Sequence, residues 1–288
     1  LGSGWYPPRY KGLAMGIAGA GHSGPVLAVL FAPPLAQKFG WQAVYGFGAL
    51  TMVLPFLVMV FMAKEPPDKG DHTFKEHIAC LWEKDGWVFN AIYIVTFGGF
   101  IGLSNFLPTY FHDQFGVTKV QAGQLTMLAA LMGSGVRVVG GYISDRWGGI
   151  NLLTTVFVGI ISLMVILGQG LSLWMTTGLF MLCFACLGAG NGSLFQLVPM
   201  RWPTTTAGAG SMIGEIGALG GGFIPNAMGI SKQQTGSFAW GFFSFAAFAV
   251  VMLVIMRVAQ RKWAGTWGGE GGRALPKVEH YRVVIPSL

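Results

Sequence analysis

Arg137 is a cation in a setting that disfavours one. It stands in Leu131-Met132-Gly133-Ser134-Gly135-Val136-Arg137-Val138-Val139-Gly140-Gly141, about two helical turns before the next charged residue, Asp145. An arginine at the centre of a membrane helix costs about 2.5–3.5 kcal/mol on insertion scales, so this side chain is expected to face the interior of a bundle. Guanidinium stays charged and presents a planar fork of donors, which suits a small planar oxyanion. The competing expectation is that the side chain snorkels to the polar end of its helix.

Other polar residues interrupt apolar runs in ways that matter chemically. Tyr93, Phe97 and Ser104 recur at helical spacing through Ile101. They form either an aromatic wall with a phenol donor, able to bracket a flat ligand, or ordinary apolar packing. Asn191 and Phe195 are four apart and share a face, whereas Gln196 is turned about 140° from Asn191, so the two polar side chains should not enter one narrow path together. His22, flanked by Gly21, Ser23 and Gly24, is either an anion donor and titrating group or a neutral histidine bonded to a neighbouring helix. Glu215, in Gly214-Glu215-Ile216-Gly217, is a candidate for proton coupling or a partner for Arg137. Gly141, Asp145 and Arg146 close the Arg137 run. Asp145 at the N-terminus of a neighbouring helix would make them a breakable conformational latch.

Cys183 and Cys186 form a C-x-x-C within an apolar run and without βαβ context, so they are read as packing residues rather than redox thiols. A thiol-dependent membrane enzyme is the competing class and is not favoured. No metal or cofactor is expected.

The elements that carry these residues are set by composition. The chain is 53% hydrophobic and 10% charged, with 45 Gly, 22 Phe and 10 Trp among 288 residues. A soluble domain carries about 25% charged residues, so this one cannot coat a water-facing surface. Glycine in apolar helices lets two backbones approach closely in lipid. The formal charge of +7 does not point to nucleic acid, because no soluble stretch interleaves basic and aromatic residues.

Crossing the hydrocarbon takes about 20 apolar residues. Candidate spans are 12–36, 41–63, 87–111, 120–143, 151–169, 173–199, 207–229 and 237–257, which predicts an all-α polytopic membrane bundle with eight transmembrane helices. Trp147 to Met200 holds no Asp, Glu, Lys or Arg. At 1.5 Å per residue it would reach about 80 Å, so it must contain two crossings, broken at Gly168-Gln169-Gly170-Leu171-Ser172. Of the 18 Lys and Arg, only Lys38, Lys119 and Lys232 fall on one side, Arg137 lies within a span, and the rest fall on the other. The positive-inside rule then puts both ends of the chain in the cytoplasm.

Small residues recur every fourth position in span 1 (Gly12, Gly16, Ala20, Gly24, Ala28, Ala32) and in span 7 (Gly210, Gly214, Ala218, Gly222), with Pro25 and Pro225 nearby. Each ladder lies on one helix face and is expected to serve as a helix-packing groove. The likeness suggests a parallel internal repeat. The polar segment 64–86 separates two spans from six. This predicts residues 1–63 as the last two helices of one six-helix half, 64–86 as a cytoplasmic central loop, 87–259 as a complete second half and 260–288 as a cytoplasmic tail. Leu1-Gly2-Ser3-Gly4-Trp5-Tyr6-Pro7-Pro8 reads as a mid-protein loop, so four leading spans are expected upstream and residues 1–288 alone are not expected to transport.

Gly140-Gly141-Tyr142-Ile143-Ser144-Asp145-Arg146-Trp147-Gly148-Gly149 resembles the cytoplasmic loop signature of the major facilitator superfamily. The chain is more specifically similar to the nitrate/nitrite porters in Gly16–Gly24, in Gly214–Pro225, in Tyr93–Gly102, and in the Arg137 and Asn191–Gln196 segments. The resemblance implies a monomeric carrier of the cytoplasmic (inner) membrane that moves nitrate or nitrite by alternating access, with protons as candidate coupling ions. A carrier of another small or organic anion is the alternative. It implies an anion site of two arginines, with Arg137 as the second and its partner upstream of Leu1. Tyr93, Phe97, Asn191 and the signature glycines Gly21, Gly217 and Gly220 would contribute. The family's fifth-helix asparagine falls at His22, a departure that bears on selectivity and coupling.

Overall fold

In lipid no water is available to backbone N–H and C=O groups, so each apolar run must close its hydrogen bonds internally, as helix. The computed structural model describes residues 24–63 and 78–273, and these are helical with no named strand. We number the helices α1 (Gly24–Phe39), α2 (Trp41–Met62), α3 (Lys84–Tyr93), α4 (Gly99–Phe115), α5 (Lys119–Trp147), α6 (Gly149–Leu167), α7 (Leu173–Arg201), α8 (Thr206–Leu219), α9 (Phe223–Thr235) and α10 (Ala239–Trp263). A π turn, Ile94–Gly98, joins α3 to α4, and a 3₁₀ turn, Gly220–Gly222, joins α8 to α9. Counting each joined pair once, the described residues contain the eight segments expected. Six of them are long and apolar enough to cross a membrane. Of the other two, α1 is described from Gly24 only, and the α8–α9 pair is interrupted at three glycines, Gly220–Gly222.

Most segments extend a few residues beyond the apolar runs. Thr118 sets the start of α5 through a capping box, with its hydroxyl accepting from Gln121 N at 3.3 Å while Gln121 Oε1 accepts from Thr118 N at 3.1 Å. Gly148, at φ 97°, turns the chain sharply from α5 into α6. The chain runs alternately up and down, so the ends of α5, α7 and α10 share one face of the bundle with the starts of α3, α6 and α8.

The closest helix pair is α5 against α7, and glycine permits it. A Cβ on Gly188 would run into the carbonyl of Gly133, one on Gly192 into the carbonyl of Arg137, and one on Gly140 would lie 2.5 Å from Ala189 Cα. α6 packs on α7 and α10 on α6, α1 lies on α5, and α2 packs chiefly on α1 with no buried residue.

Among the described residues the span 7 ladder is not the close-packed face of its helix. Gly214 has no neighbour within 4 Å where a Cβ would stand, and Gly210 meets only the Phe195 ring at 3.5 Å. The close-packed face of α8 and the turn after it is carried instead by Gly217, Gly220 and Gly221, against Tyr93, Ile94 and Ile101. Most of the span 1 ladder lies outside the described residues.

Candidate functional site

Arg137 sits mid-helix on α5. Its backbone carbonyl lies against Gly192 of α7, while its guanidinium lines a cavity of about 380 Å³ on another side of the helix. The residue is 5% exposed, so the snorkelling expectation fails and the interior one holds. α3 and the π turn supply Tyr93 and Phe97 to the cavity wall, α4 supplies Ile101, α7 supplies Phe195, and α8 supplies Gly210, Ser211, Gly214, Glu215 and Ala218.

The guanidinium is held by rings more than by hydrogen bonds. Nη2 donates to Tyr93 Oη at a long 3.4 Å. The carbon of the fork stands 5.9 Å from the Phe97 ring centroid and 5.7 Å from that of Phe195. Tyr93 and Phe97 stack at 4.7 Å with 13° between planes, and Phe195 meets Tyr93 edge-on at 5.3 Å. Arg137 Nε is buried without a partner, and among the described residues no carboxylate pairs with the group. Guanidinium carries five donors, so most of its hydrogen-bonding capacity is unspent. A buried charge in that condition is costly, and an anion entering the cavity would relieve it.

Tyr93 is fixed from behind. A Cβ on Gly217 would collide with its ring, and one on Gly220 would meet Ile94. Gly217 and Gly220 therefore pack behind the tyrosine and do not line the cavity. The π turn, with its extra residue per turn, lies where Gly98 lets the Gly220 backbone approach.

Asn191 is buried on α7 with Oδ1 unpartnered, but it is not on the cavity wall. Gln196 is turned elsewhere, as its spacing predicts, accepting from Ser144 Oγ at 3.2 Å and lying 3.2 Å from Met200 Sδ. Ser104 is buried a turn beyond Ile101, without a partner and outside the cavity. Glu215 is on the wall, exposed and unpaired among the described residues. Gly21 and His22 lie outside the described residues.

At the end of α5, Arg146 lies 4.4 Å over the Tyr142 ring. Asp145 is exposed and makes no ion pair or hydrogen bond among the described residues, so this structure contains no closed latch at Asp145. Gly141 serves the α5–α7 contact beside Gly192. The charged clasp at this end is a different one. Arg201 pairs with Glu83 and, at 2.6 Å, with Asp85, which also accepts from Trp263 Nε1 at 2.8 Å. Cys183 and Cys186 are free thiols in the bundle, the first fully buried.

Phe195, Ser211, Gly210 and Gly214 belong to the cavity and are not among the site residues expected from the sequence. Signals for two of them exist there: Phe195 shares a face with Asn191, and Ser211 stands one turn before Glu215.

An unpaired buried cation beside a cavity, enclosed by membrane-crossing helices, defines a polytopic membrane protein with an internal polar site. Residues 3–225 match the Major Facilitator Superfamily, and the chain belongs to that superfamily. It is 27% identical over 253 residues to a nitrite extrusion protein of Bacillus subtilis (strain 168), covering 88% of this chain and 64% of the relative. A probable nitrate/nitrite antiporter NarK1 of Thermus thermophilus is 28% identical, covering 90% of this chain and 66% of the relative. The chain thus spans about two thirds of the length of such relatives. Among solved structures, the superfamily transporter FucP in its outward conformation aligns at a TM-score of 0.64 with 15% identity, over 89% of this chain and 70% of that one.

Proposed function

We propose that this chain is part of a secondary carrier, not an enzyme, that moves nitrate or nitrite by alternating access. The observation that carries the reading is the buried Arg137 guanidinium, unpaired by any described carboxylate and set beside the Phe97 and Phe195 rings at a cavity. A flat anion can take the fork edge-on while its faces meet the rings. The names of the relatives, a nitrite extrusion protein and a nitrate/nitrite antiporter, support the choice of anion.

In this proposal residues 1–63 end one half of the carrier, 64–86 link the halves, 87–259 form the second half and 260–288 a tail. The membrane is the cytoplasmic one, with both ends of the chain inside. Arg146, Arg201, Arg257 and Arg261 share one end of the bundle and Lys119 and Lys232 the other, which supports that orientation. Tyr93 donates beside Arg137, Asn191 and His22 add polar groups, Gly21, Gly217 and Gly220 set backbone approach, and Glu215 or His22 couples a proton. Asp145, Arg146 and Gly141 act at the cytoplasmic end when the carrier changes state. The monomer is the working unit.

The test is uptake by proteoliposomes carrying the whole protein. Concentrative or exchange uptake of nitrate, competed by nitrite and not by organic anions, is the expected result. Uptake that organic anions compete and nitrate does not would replace this reading with the organic-anion one.

A further inference from the structure

A second basic site lies far from the Arg137 cavity, on the outer flank of the bundle. Arg257 and Arg261 are four apart on α10 and share its face with Leu253, Val254 and Val258. With Thr154 of α6 and Gln260 they line a groove of about 690 Å³. Arg257 Nη1 donates to Thr154 Oγ1 at 3.4 Å, and that hydroxyl donates on to Ile150 O at 2.8 Å, so the arginine is anchored against α6.

Depth along the two helices agrees. Thr154 is five residues into α6 and Arg257 six before the end of α10, about 8–9 Å from the polar end in each case. That is headgroup depth, within reach of a snorkelling arginine. No carboxylate lines the groove. Toward the bundle centre, Val258, Val254 and Val250 continue one stripe, 55%, 56% and 43% exposed, at the spacing of one helix face.

We propose that this groove binds an anionic phospholipid, its phosphate between Arg257 and Arg261 and its acyl chain along Val258, Val254 and Val250. The chemistry divides along the groove: two cations without a counter-ion among the described residues at headgroup depth, and an aliphatic wall running inward. A basic pocket between membrane helices recognises an anionic headgroup in this way. The proposal does not depend on which anion the carrier moves.

Native mass spectrometry of the purified chain in mild detergent tests it, with phosphatidylglycerol and phosphatidylcholine of identical acyl chains as probes. Phosphatidylglycerol is expected to bind roughly tenfold more tightly. Arg257→Gln with Arg261→Gln removes that preference, whereas Lys232→Gln at the opposite end keeps it. Equal affinity of the wild type for both lipids overturns the proposal without any variant. So does a preference undiminished in the double variant, or loss of the bound lipid to inorganic phosphate alone.

Discussion

The Tyr93 hydroxyl is the hydrogen-bond partner of Arg137, at 3.4 Å from Nη2, and the ring that carries it rests on the bare backbone of Gly217. Two helices far apart in sequence thus aim one guanidinium: α5 supplies the charge, and α3, packed on α8, supplies the surface that orients it.

Tyr93→Phe keeps the stack on Phe97 and removes the hydroxyl. A single hydrogen bond to a charged group is worth about 1.5–3 kcal/mol, so anion affinity should fall by about 10–100-fold while thermal stability changes little. Equilibrium nitrate binding, read beside a melting curve, checks both halves. Wild-type affinity in Tyr93→Phe would show that the phenol does not orient the fork.

Gly217→Ala places a methyl group where the Tyr93 ring lies. Overpacking of this kind costs about 1–3 kcal/mol, and here the strain should displace the ring. Both melting temperature and nitrate affinity should drop. Gly214→Ala is the contrast: with no atom of the described residues within 4 Å of the added group, stability should hold while the cavity narrows. Equal loss of stability in the two variants would contradict the packing assignment.

Glu215 shares the cavity with Arg137. A negative charge there disfavours an incoming anion. Glu215→Gln should therefore bind nitrate more tightly than the wild type in an equilibrium binding measurement. Unchanged affinity in the variant would remove Glu215 from the anion site.

Much of the arrangement is legible in the sequence, for physical reasons. A lone charge in lipid must turn inward, so the apolar neighbours of Arg137 are enough to place it in the bundle interior. Helical spacing also puts Tyr93 and Phe97 on one face and turns Gln196 away from Asn191. The glycine ladder is less telling, because four-residue spacing marks a face without saying what packs on it. On α8 the Gly210–Gly214 face looks onto the cavity, and the packing falls to Gly217, Gly220 and Gly221. The close glycines of α5 and α7 make no extended ladder: Gly133 and Gly140 stand seven apart, and Gly188 and Gly192 make a single four-residue step. Arg201 and Asp85 are 116 residues apart, a pairing that no local periodicity encodes. The π turn lies where Gly98 approaches Gly220, which is likewise a tertiary contact.

If the Arg137 fork itself ligates the anion, its shape must matter as well as its charge. Nitrate binding to the purified whole protein, wild type against Arg137→Lys, separates the two. Lysine keeps the charge but loses the planar fork, so affinity should fall by about 10–100-fold with the fold intact. Wild-type affinity in Arg137→Lys would refute direct ligation by the fork and leave Arg137 a buried structural cation.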